Sequence, residues 1–129
     1  MLIIAIDFDG TIVQKNEDGD LTPRVLLPNA KEVINWIYKT NTVIIWTCRT
    51  DLIQVKDFLN SNGIKFHKIN ENADTLDFST GRKVYADCYI DDRGIGIYKN
   101  IDWLSIKNFI KLLLKEQLIN EIIKASNKK

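Results

Sequence analysis

Two aspartates follow the first apolar segment of the chain. Residues 2–6 are continuously apolar, and Asp7 and Asp9 come directly after them in the segment IAIDFDGTIV. A short apolar run without alternation predicts a strand that is buried on both faces of a parallel sheet. An ordinary turn could explain Asp9 followed by Gly10. Polar residues at the ends of other predicted strands argue against that simple explanation.

Two further predicted strands end in polar residues. Thr47 and Arg49 follow the predicted strand 42–46, and Asp91 and Asp92 close the segment CYIDD. Parallel strands bring their carboxyl ends to one edge of the sheet, where ligands bind. The four aspartates of these segments would repel each other there unless a cation or shared protons intervened. Oxygen ligands of this kind suit Mg²⁺, so the sequence predicts a magnesium site.

The first two aspartates have the chemistry for phosphoryl transfer. Asp7 could attack phosphorus and form an aspartyl-phosphate. Asp9 could protonate the leaving oxygen and then deprotonate the water that hydrolyses the intermediate. Gly10 would let the chain bend sharply, so that backbone N–H groups face the phosphate.

Three polar side chains elsewhere could bind the phosphoryl group. Thr47 would supply a hydroxyl donor, and Lys83 a mobile positive charge. The guanidinium of Arg49 suits phosphate recognition and could hold the substrate. Plainer explanations stand beside these roles: Thr47 favours strands, and Lys83 could be a solvated surface residue. Arg82 competes with Lys83 for the same role.

The remaining pattern predicts the elements that position these residues. Apolar residues at helical spacing predict helices over 28–39, 51–60 and 102 to about 125, and apolar runs predict strands over 2–7, 42–46, 64–69 and up to 92. Alternating strands and helices are typical of right-handed β-α-β units. We therefore expect one doubly wound, Rossmann-like α/β domain over residues 1–129, with a mainly parallel sheet.

Four segments together resemble a known family. The motifs IIAIDFDGTIV, VIIWT, a lysine and YIDD occur in the order found in the haloacid dehalogenase-like (HAD) phosphatase superfamily, and they span residues 2 to about 98. The resemblance implies that Asp7 is the nucleophile, that Asp9 is the acid/base, and that Thr47 and Lys83 hold the phosphoryl group. It also implies that Mg²⁺ is bound by Asp7, the Asp9 carbonyl and Asp91, with Asp92 as a water-mediated or orienting ligand.

The spacing of the motifs indicates a small member without a cap domain. Asp18-Gly19 predicts a hairpin turn, and residues 11–22 resemble the flap of the family. Neither this flap nor the segment after Thr47 has room for a cap. The segment RKVYADCYIDDR is similar to one shared by a group of small uncharacterised proteins.

Composition restricts the partners and the compartment. The net charge of +1, from 18 basic and 17 acidic residues, offers no bulk attraction to nucleic acid or an anionic membrane. Cys48 and Cys88 are too few for a disulfide framework, which favours reduced thiols. No apolar run is long enough to span a bilayer, and residues 2–6 lack the basic start of a signal peptide. We expect a cytoplasmic protein.

The predicted function is a Mg²⁺-dependent phosphomonoester hydrolase. A capless site favours a large substrate, such as a phosphoprotein or a nucleic-acid end, or a partner that closes the site, although a small phosphorylated metabolite fits as well. One alternative is a receiver-like regulatory module that binds phosphate or metal without rapid turnover. Another is a phosphatase of nucleic-acid ends, for which the open site is the sole argument.

The last helix carries more apolar residues than a small sheet can cover. The expected core contacts are Trp103, Ile106, Phe109, Ile110, Leu113, Leu114 and Leu118. Ile119, Ile122 and Ile123 extend the apolar pattern beyond them. We therefore expect a C-terminal helical extension over about 102–126 that could form a homodimer, and deletion of 118–129 to leave a folded, active monomer.

Overall fold

The computed structural model describes residues 1–15 and 25–128. Its elements are β1 (Ile3–Ile6), α1 (Ala30–Tyr38), β2 (Thr42–Ile45), α2 (Leu52–Ser61), β3 (Lys68–Ile69), β4 (Cys88–Ile90) and α3 (Trp103–Asn127). Within these residues the strands form one sheet in the order β3-β2-β1-β4, and every neighbouring pair is parallel. The predicted Rossmann-like α/β fold is confirmed, with β3 and β4 shorter than the sequence predicted.

All three helices pack against one face of the sheet. That face is formed by the alternate strand residues Ile4, Ile6, Val43 and Ile45, which share a core with apolar residues of the helices: Val33, Ile34, Ile37, Val55, Leu59, Trp103 and Ile110. The two central strands, β1 and β2, are almost entirely apolar and buried because neither face of a parallel sheet is left to solvent there.

The second face of the sheet is covered without a helix. Ala5 and Ile44 pack there against Ala73, Val84 and Ala86, which belong to the connection between β3 and β4. This connection crosses the sheet in the direction opposite to the other two, as a doubly wound fold requires. Its polar, turn-rich sequence lacks a helical apolar pattern, and an irregular segment therefore takes the place that a helix has in a typical doubly wound fold.

The strand order creates a crevice between the ends of β1 and β4. The chain leaves β1 toward β2 on one side, while β4 pairs with β1 on the other. Ile6 is opposite Ile90 in the register, and the Asp7 N–H donates to the Ile90 carbonyl at 2.9 Å. Asp7 and Asp91 therefore follow adjacent strands at the point where ligands bind in such sheets.

The base of the predicted flap is an antiparallel pair. Val13 bridges to Leu26, the Gln14 N–H donates to the Val25 carbonyl at 2.8 Å, and the Leu27 N–H donates to the Ile12 carbonyl at 2.8 Å. The predicted turn at Asp18-Gly19 lies outside the described residues, as does most of the 11–22 segment.

Helix α3 begins where the sequence predicted and packs along only part of its length. Trp103 and Ile110 are buried, and Ile106, Leu113 and Leu114 pack partly against the core. The prediction that Phe109 and Leu118 are core contacts is wrong, since they are 56% and 57% exposed. Phe109 lies to the side of the buried stripe, and Leu118 lies in the last turns of the helix, where every residue from 118 to 128 is exposed. Across the described residues, no helix combines the length and apolar character needed to cross a membrane.

Candidate functional site

Three carboxylates converge at the crevice between β1 and β4. Asp7 follows β1, and Asp91 and Asp92 follow β4; one oxygen from each lies within 4.8 Å of the others. Asp92 is only 5% exposed, and Asp7 is half-buried. The sequence predicted that four aspartates meet at this edge; the structure brings three of them together, while the Asp9 carboxylate is paired with Arg49. The chemistry of the three donors, hard oxygens at one point, fits a divalent cation.

The surroundings of Asp7 raise its pKa. Burial as the largest cause, the negative charge of Asp91, a hydrogen bond with Asp92 and the charge of Asp92 together raise it from 3.8 to about 7. A hydrogen bond from the Phe8 N–H opposes them by lowering the pKa. Without a cation, the site therefore retains a proton on Asp7 up to about neutral pH.

Gly10 provides the space that Asp92 occupies. Its φ of +79° lies in the left-handed region, and a Cβ at this position would be 2.8 Å from Cγ of Asp92. The predicted role of Gly10, a sharp bend that lets backbone N–H groups face a phosphate, stays a prediction; its own N–H donates to the Val13 carbonyl at 2.8 Å. The amides of residues 11, 12 and 13 likewise donate to the Phe8 carbonyl. Gly10 thus shapes the site through its missing side chain and its φ.

Thr11 joins the two strand ends and is a residue that the sequence reasoning left without a role. Its hydroxyl donates to Oδ2 of Asp7 at 3.2 Å and accepts the Asp92 N–H at 3.0 Å. Its side chain is fully buried. The threonine that ends the DFDGT segment could have indicated this role, because a buried hydroxyl close to two aspartates needs hydrogen-bond partners.

Asp9 is paired with Arg49. The guanidinium donates from Nε to Oδ2 of Asp9 at 2.7 Å and from Nη2 to Oδ1 at 2.8 Å. A third donor, Nη1, reaches Oδ2 of Asp51 at 3.1 Å. These two acids raise the pKa of Arg49, with the Asp9 hydrogen bond as the largest cause. Arg49 was predicted to hold a substrate phosphate, but here its guanidinium binds Asp9. The contact with Asp51 was not predicted.

Thr47 lies at the end of β2, as predicted, and is held by Asn70. The Thr47 N–H donates to Oδ1 of Asn70, and Nδ2 of Asn70 donates to the Thr47 carbonyl, both at 2.9 Å. The Thr47 hydroxyl accepts the Arg49 N–H at 3.1 Å, which leaves its proton able to donate to a ligand. Asn70 has a positive φ of 55° after β3. Sequence reasoning missed it because it stands in a polar, turn-rich stretch.

Lys83 lies on the second face of the sheet. Its ammonium is 4.6 Å from the ring centroid of Tyr89, whose hydroxyl donates to the Val84 carbonyl. Both Lys83 and Arg82 are exposed. Among the described residues no ion pair joins either side chain to the three clustered aspartates, so the choice between them stays a prediction.

The fold and the cluster define a small α/β protein with a carboxylate-lined crevice at its topological switch point. A search of solved structures finds a similar chain, a conserved protein from Bacteroides thetaiotaomicron, at 30% identity over 85% of this chain and 89% of that one, with a TM-score of 0.70. At this identity and coverage, the chain belongs to the family of that conserved protein. Its description states no activity, so the relationship supports the shared fold and says nothing about an activity. No protein-family model and no curated protein matches the chain.

Proposed function

We propose that this protein is a phosphomonoester hydrolase of the HAD-like superfamily that depends on Mg²⁺ and forms an aspartyl-phosphate on Asp7. One observation carries the proposal: Asp7 lies with Asp91 and Asp92 at the carboxyl ends of two adjacent parallel strands, with its pKa raised to about 7. Strongly perturbed acids in a crevice of this kind are typical of functional sites.

The electrostatics of the cluster support a divalent cation. Three carboxylates at this spacing repel each other, and the raised pKa of Asp7 reflects burial together with that repulsion. Asp7, Asp91 and Asp92 would hold Mg²⁺, which supplies charge neutralisation for the carboxylates and for phosphoryl oxygens. With that charge compensated, Asp7 is ionised at neutral pH and has the lone pair that a nucleophile needs.

The reaction divides into two displacements at phosphorus. In the first, an Asp7 oxygen forms a bond to phosphorus, the bond to the leaving oxygen breaks, and that oxygen receives a proton from Asp9. In the second, water attacks the phosphoryl group, Asp9 takes the proton, and the bond between phosphorus and Asp7 breaks. Inorganic phosphate and an alcohol leave, and Asp7 is regenerated. The Thr47 hydroxyl can donate to the phosphoryl oxygens, and Lys83 is the proposed mobile cation.

Proton transfer by Asp9 requires its pair with Arg49 to open. Both oxygens of Asp9 accept from the guanidinium, and a proton on Asp9 competes with these donors. Phosphoryl oxygens of a substrate are equivalent acceptors for an arginine fork. Binding of a substrate phosphate to Arg49 would therefore release Asp9 for acid catalysis. In this way Arg49 could bind Asp9 in the free protein and the phosphate in the complex.

The same pair favours a second candidate, a phosphate- or metal-binding module without rapid turnover, as in a receiver-like regulatory domain. If Asp9 stays bound to Arg49, Asp7 could still be phosphorylated, but no neighbouring base would activate water efficiently. The two functions differ in the fate of phosphorylated Asp7: it is short-lived in the hydrolase and persists in the regulatory module.

Hydrolysis of an aryl phosphate with Mg²⁺ tests the proposal. The wild type should turn over, Asp7→Asn should be inactive, and Asp9→Asn should slow the reaction while retaining Mg²⁺ binding measured by calorimetry. Asp57→Asn is the matched control, because Asp57 is exposed on α2. Activity that survives Asp7→Asn, or an absence of Mg²⁺ binding by the wild type, contradicts the proposal. Stoichiometric phosphorylation by acetyl phosphate without turnover supports the regulatory module.

The substrate requires a separate measurement, since the site residues recognise the phosphoryl group alone. Phosphorylated metabolites, phosphopeptides and 3′-phosphorylated oligonucleotides should be compared by kcat/KM with the wild type and Asp7→Asn. A preference for oligonucleotides that weakens steeply with salt supports the nucleic-acid alternative. A salt-independent preference for a small metabolite contradicts it.

A further inference from the structure

We propose that Trp103 is a positioning residue for the acidic cluster and that it acts through Thr11. Trp103 is the first residue of α3 and is 1% exposed. Its indole Nε1–H donates to the Thr11 carbonyl at 2.8 Å, across 92 residues of chain. An indole can only donate, and a buried carbonyl needs a donor, so this bond fixes one residue against the other.

Thr11 transmits this contact to both strands of the crevice. While its carbonyl accepts the indole, its hydroxyl donates to Asp7 at 3.2 Å and accepts the Asp92 N–H at 3.0 Å. The amide of Thr11 donates to the Phe8 carbonyl at 3.3 Å. Every polar group of Thr11 is therefore hydrogen-bonded. Its hydroxyl has one position in which it bonds both the Asp7 carboxylate and the Asp92 N–H.

The indole is itself fixed by the start of α3. Asp102 caps the helix: its Oδ1 accepts the N–H groups of Leu104 and Ser105 at 3.1 and 3.3 Å, and its Oδ2 accepts the Ser105 hydroxyl at 2.9 Å. A capped first turn gives Trp103 a defined backbone, and its burial gives it a defined rotamer. The C-terminal helix thus sets the spacing of Asp7 and Asp92, which lie on the other side of Thr11.

The exchange rate of the Asp92 amide measures this positioning directly, because that N–H donates to the Thr11 hydroxyl. Trp103→Phe removes the indole donor and keeps an aromatic ring, and we expect Asp92 exchange, followed by NMR, to accelerate at least tenfold. Thr11→Val should do the same, and Thr11→Ser should stay within twofold of wild type. Trp36→Phe is the matched control, since Trp36 is a half-buried tryptophan of α1.

Two comparisons separate positioning from simple core packing. A loss of packing accelerates all slowly exchanging amides together, including the Trp46 N–H that donates to the Ile6 carbonyl. Selective acceleration at Asp92 supports the proposal, and uniform acceleration overturns it. The double variant Trp103→Phe, Thr11→Val should exchange at Asp92 no faster than Thr11→Val alone, because the two residues act in series. Additive effects contradict the action through Thr11.

Benzothienylalanine at position 103 provides a second variant if Trp103→Phe does not fold. It keeps the bicyclic ring and replaces the N–H by sulfur, and it should accelerate Asp92 exchange as Trp103→Phe does. Unchanged exchange overturns the proposal.

The catalytic consequence rests on the proposed function and has its own readout. We expect Trp103→Phe to weaken Mg²⁺ binding about fivefold in calorimetry and to lower kcat of aryl phosphate hydrolysis more than it changes KM. If the wild type binds no Mg²⁺, the proposed function fails while Asp92 exchange still decides the role of Trp103. If Mg²⁺ binds and Trp103→Phe leaves its affinity unchanged, the effect on the cluster is refuted.

Discussion

Arg49 holds both carboxylate oxygens of Asp9, at 2.7 and 2.8 Å. Asp9 follows β1 and Arg49 follows β2, so this ion pair links the carboxyl ends of two neighbouring strands. The Arg49 side chain is 4% exposed and the Asp9 side chain 30%. The guanidinium also lies 5.4 Å from the centroid of the Phe8 ring. A buried arginine with acidic partners on two sides is a structural element as well as a candidate phosphate ligand.

Replacement of Arg49 should therefore affect stability and substrate binding separately. We expect Arg49→Ala to lower the free energy of unfolding by about 2–3 kcal/mol, because hydrogen bonds to charged groups contribute about 1.5–3 kcal/mol each and the partial exposure of Asp9 screens its share. Urea unfolding measures this, with Lys56→Ala on α2 as an exposed control. If Arg49 also binds the phosphoryl group, Arg49→Lys should raise KM about tenfold. Equal stability of Arg49→Ala and the control contradicts the structural role.

The raised pKa of Asp7 predicts how stability depends on pH. The unfolded chain loses this proton near its ordinary value of 3.8 and the folded protein near 7. Between these values the folded state binds more protons, so the free energy of unfolding falls as pH rises from about 4 to about 7, by at most about 1.4 kcal/mol per unit. Above about pH 7 this contribution levels off. Urea unfolding in chelator at several pH values measures the slope.

Magnesium should offset this loss, because a cation that binds the folded state alone stabilises it. At pH 8, added Mg²⁺ should raise the unfolding midpoint of the wild type and leave Asp7→Asn nearly unchanged. Asp7→Asn should also lack the slope between pH 4 and 7, since it carries no proton to release. A wild-type slope that persists in Asp7→Asn assigns the titration to another group and contradicts the interpretation.

Gly10 should tolerate no side chain. Its φ of +79° strains an L-residue, and a Cβ would meet the carboxyl group of Asp92. We expect Gly10→Ala to cost about 2 kcal/mol or more, from about 1–2 kcal/mol of left-handed strain and the displacement of Asp92. Mg²⁺ affinity should fall with it. Gly81→Ala is the control, because a Cβ there meets nothing within 4 Å. If Gly10→Ala and Gly81→Ala have similar stability, the prediction that Gly10 tolerates no side chain is wrong.

The sequence predicted the features that depend on strand order and strand ends. Short apolar runs separated by helical patterns identify parallel strands, and parallel strands place their following residues at one edge. Asp7, Asp9, Asp91 and Asp92 were therefore grouped before any distance was known, and the structure brings all of them together except Asp9, which is paired with Arg49. The apolar spacing of 102 to about 125 likewise identified α3.

The features that the sequence did not reveal depend on which hydrogen-bond partner each polar side chain has in the folded protein. Arg49 has a fork that suits phosphate and carboxylate equally, and only the positions of Asp9 and Asp51 decide its partners. Thr11 and Asn70 carry roles through bonds to backbone groups of distant segments, which no local pattern encodes. Phe109 was misassigned because its exposure depends on where α3 touches the sheet, and periodicity alone gives no such position.

Lys83 and Arg82 should differ in kinetics if one of them stabilises the phosphoryl group. We expect Lys83→Ala to lower kcat about 100-fold, as the loss of one electrostatic contact to a transition state does, and Arg82→Ala to stay within about twofold. Lys83 contacts the ring of Tyr89, so Tyr89→Leu, which removes the ring, controls for loss of that contact. A larger effect of Arg82→Ala transfers the role to Arg82.

The exposed turns of α3 should form a homodimer. Residues 118–128 are all exposed, and Leu118, Ile119, Ile122 and Ile123 project from them with 57%, 47%, 57% and 51% of their surface exposed. None of these four side chains is among the apolar residues that pack against the core, and three helical turns without packing are marginal in water. A second copy of the chain offers the same apolar stripe. Two stripes with their flanking polar residues would bury on the order of 1,000 Å², near the lower end of specific interfaces.

Sedimentation tests this dimer and identifies its surface. The intact chain should sediment as a dimer at micromolar concentration, whereas Ile119→Lys with Ile122→Lys, or deletion of residues 118–129, should give a folded monomer. Because these turns lie beyond the part of α3 that packs on the core, the monomer should keep the near-ultraviolet signal of the buried Trp103 and the Mg²⁺ affinity of the intact chain. Leu104→Lys is the control, since Leu104 is 55% exposed in the first turn, outside the proposed interface. A monomeric wild type at that concentration excludes the dimer, because the apolar stripe is then stable in water without a second copy.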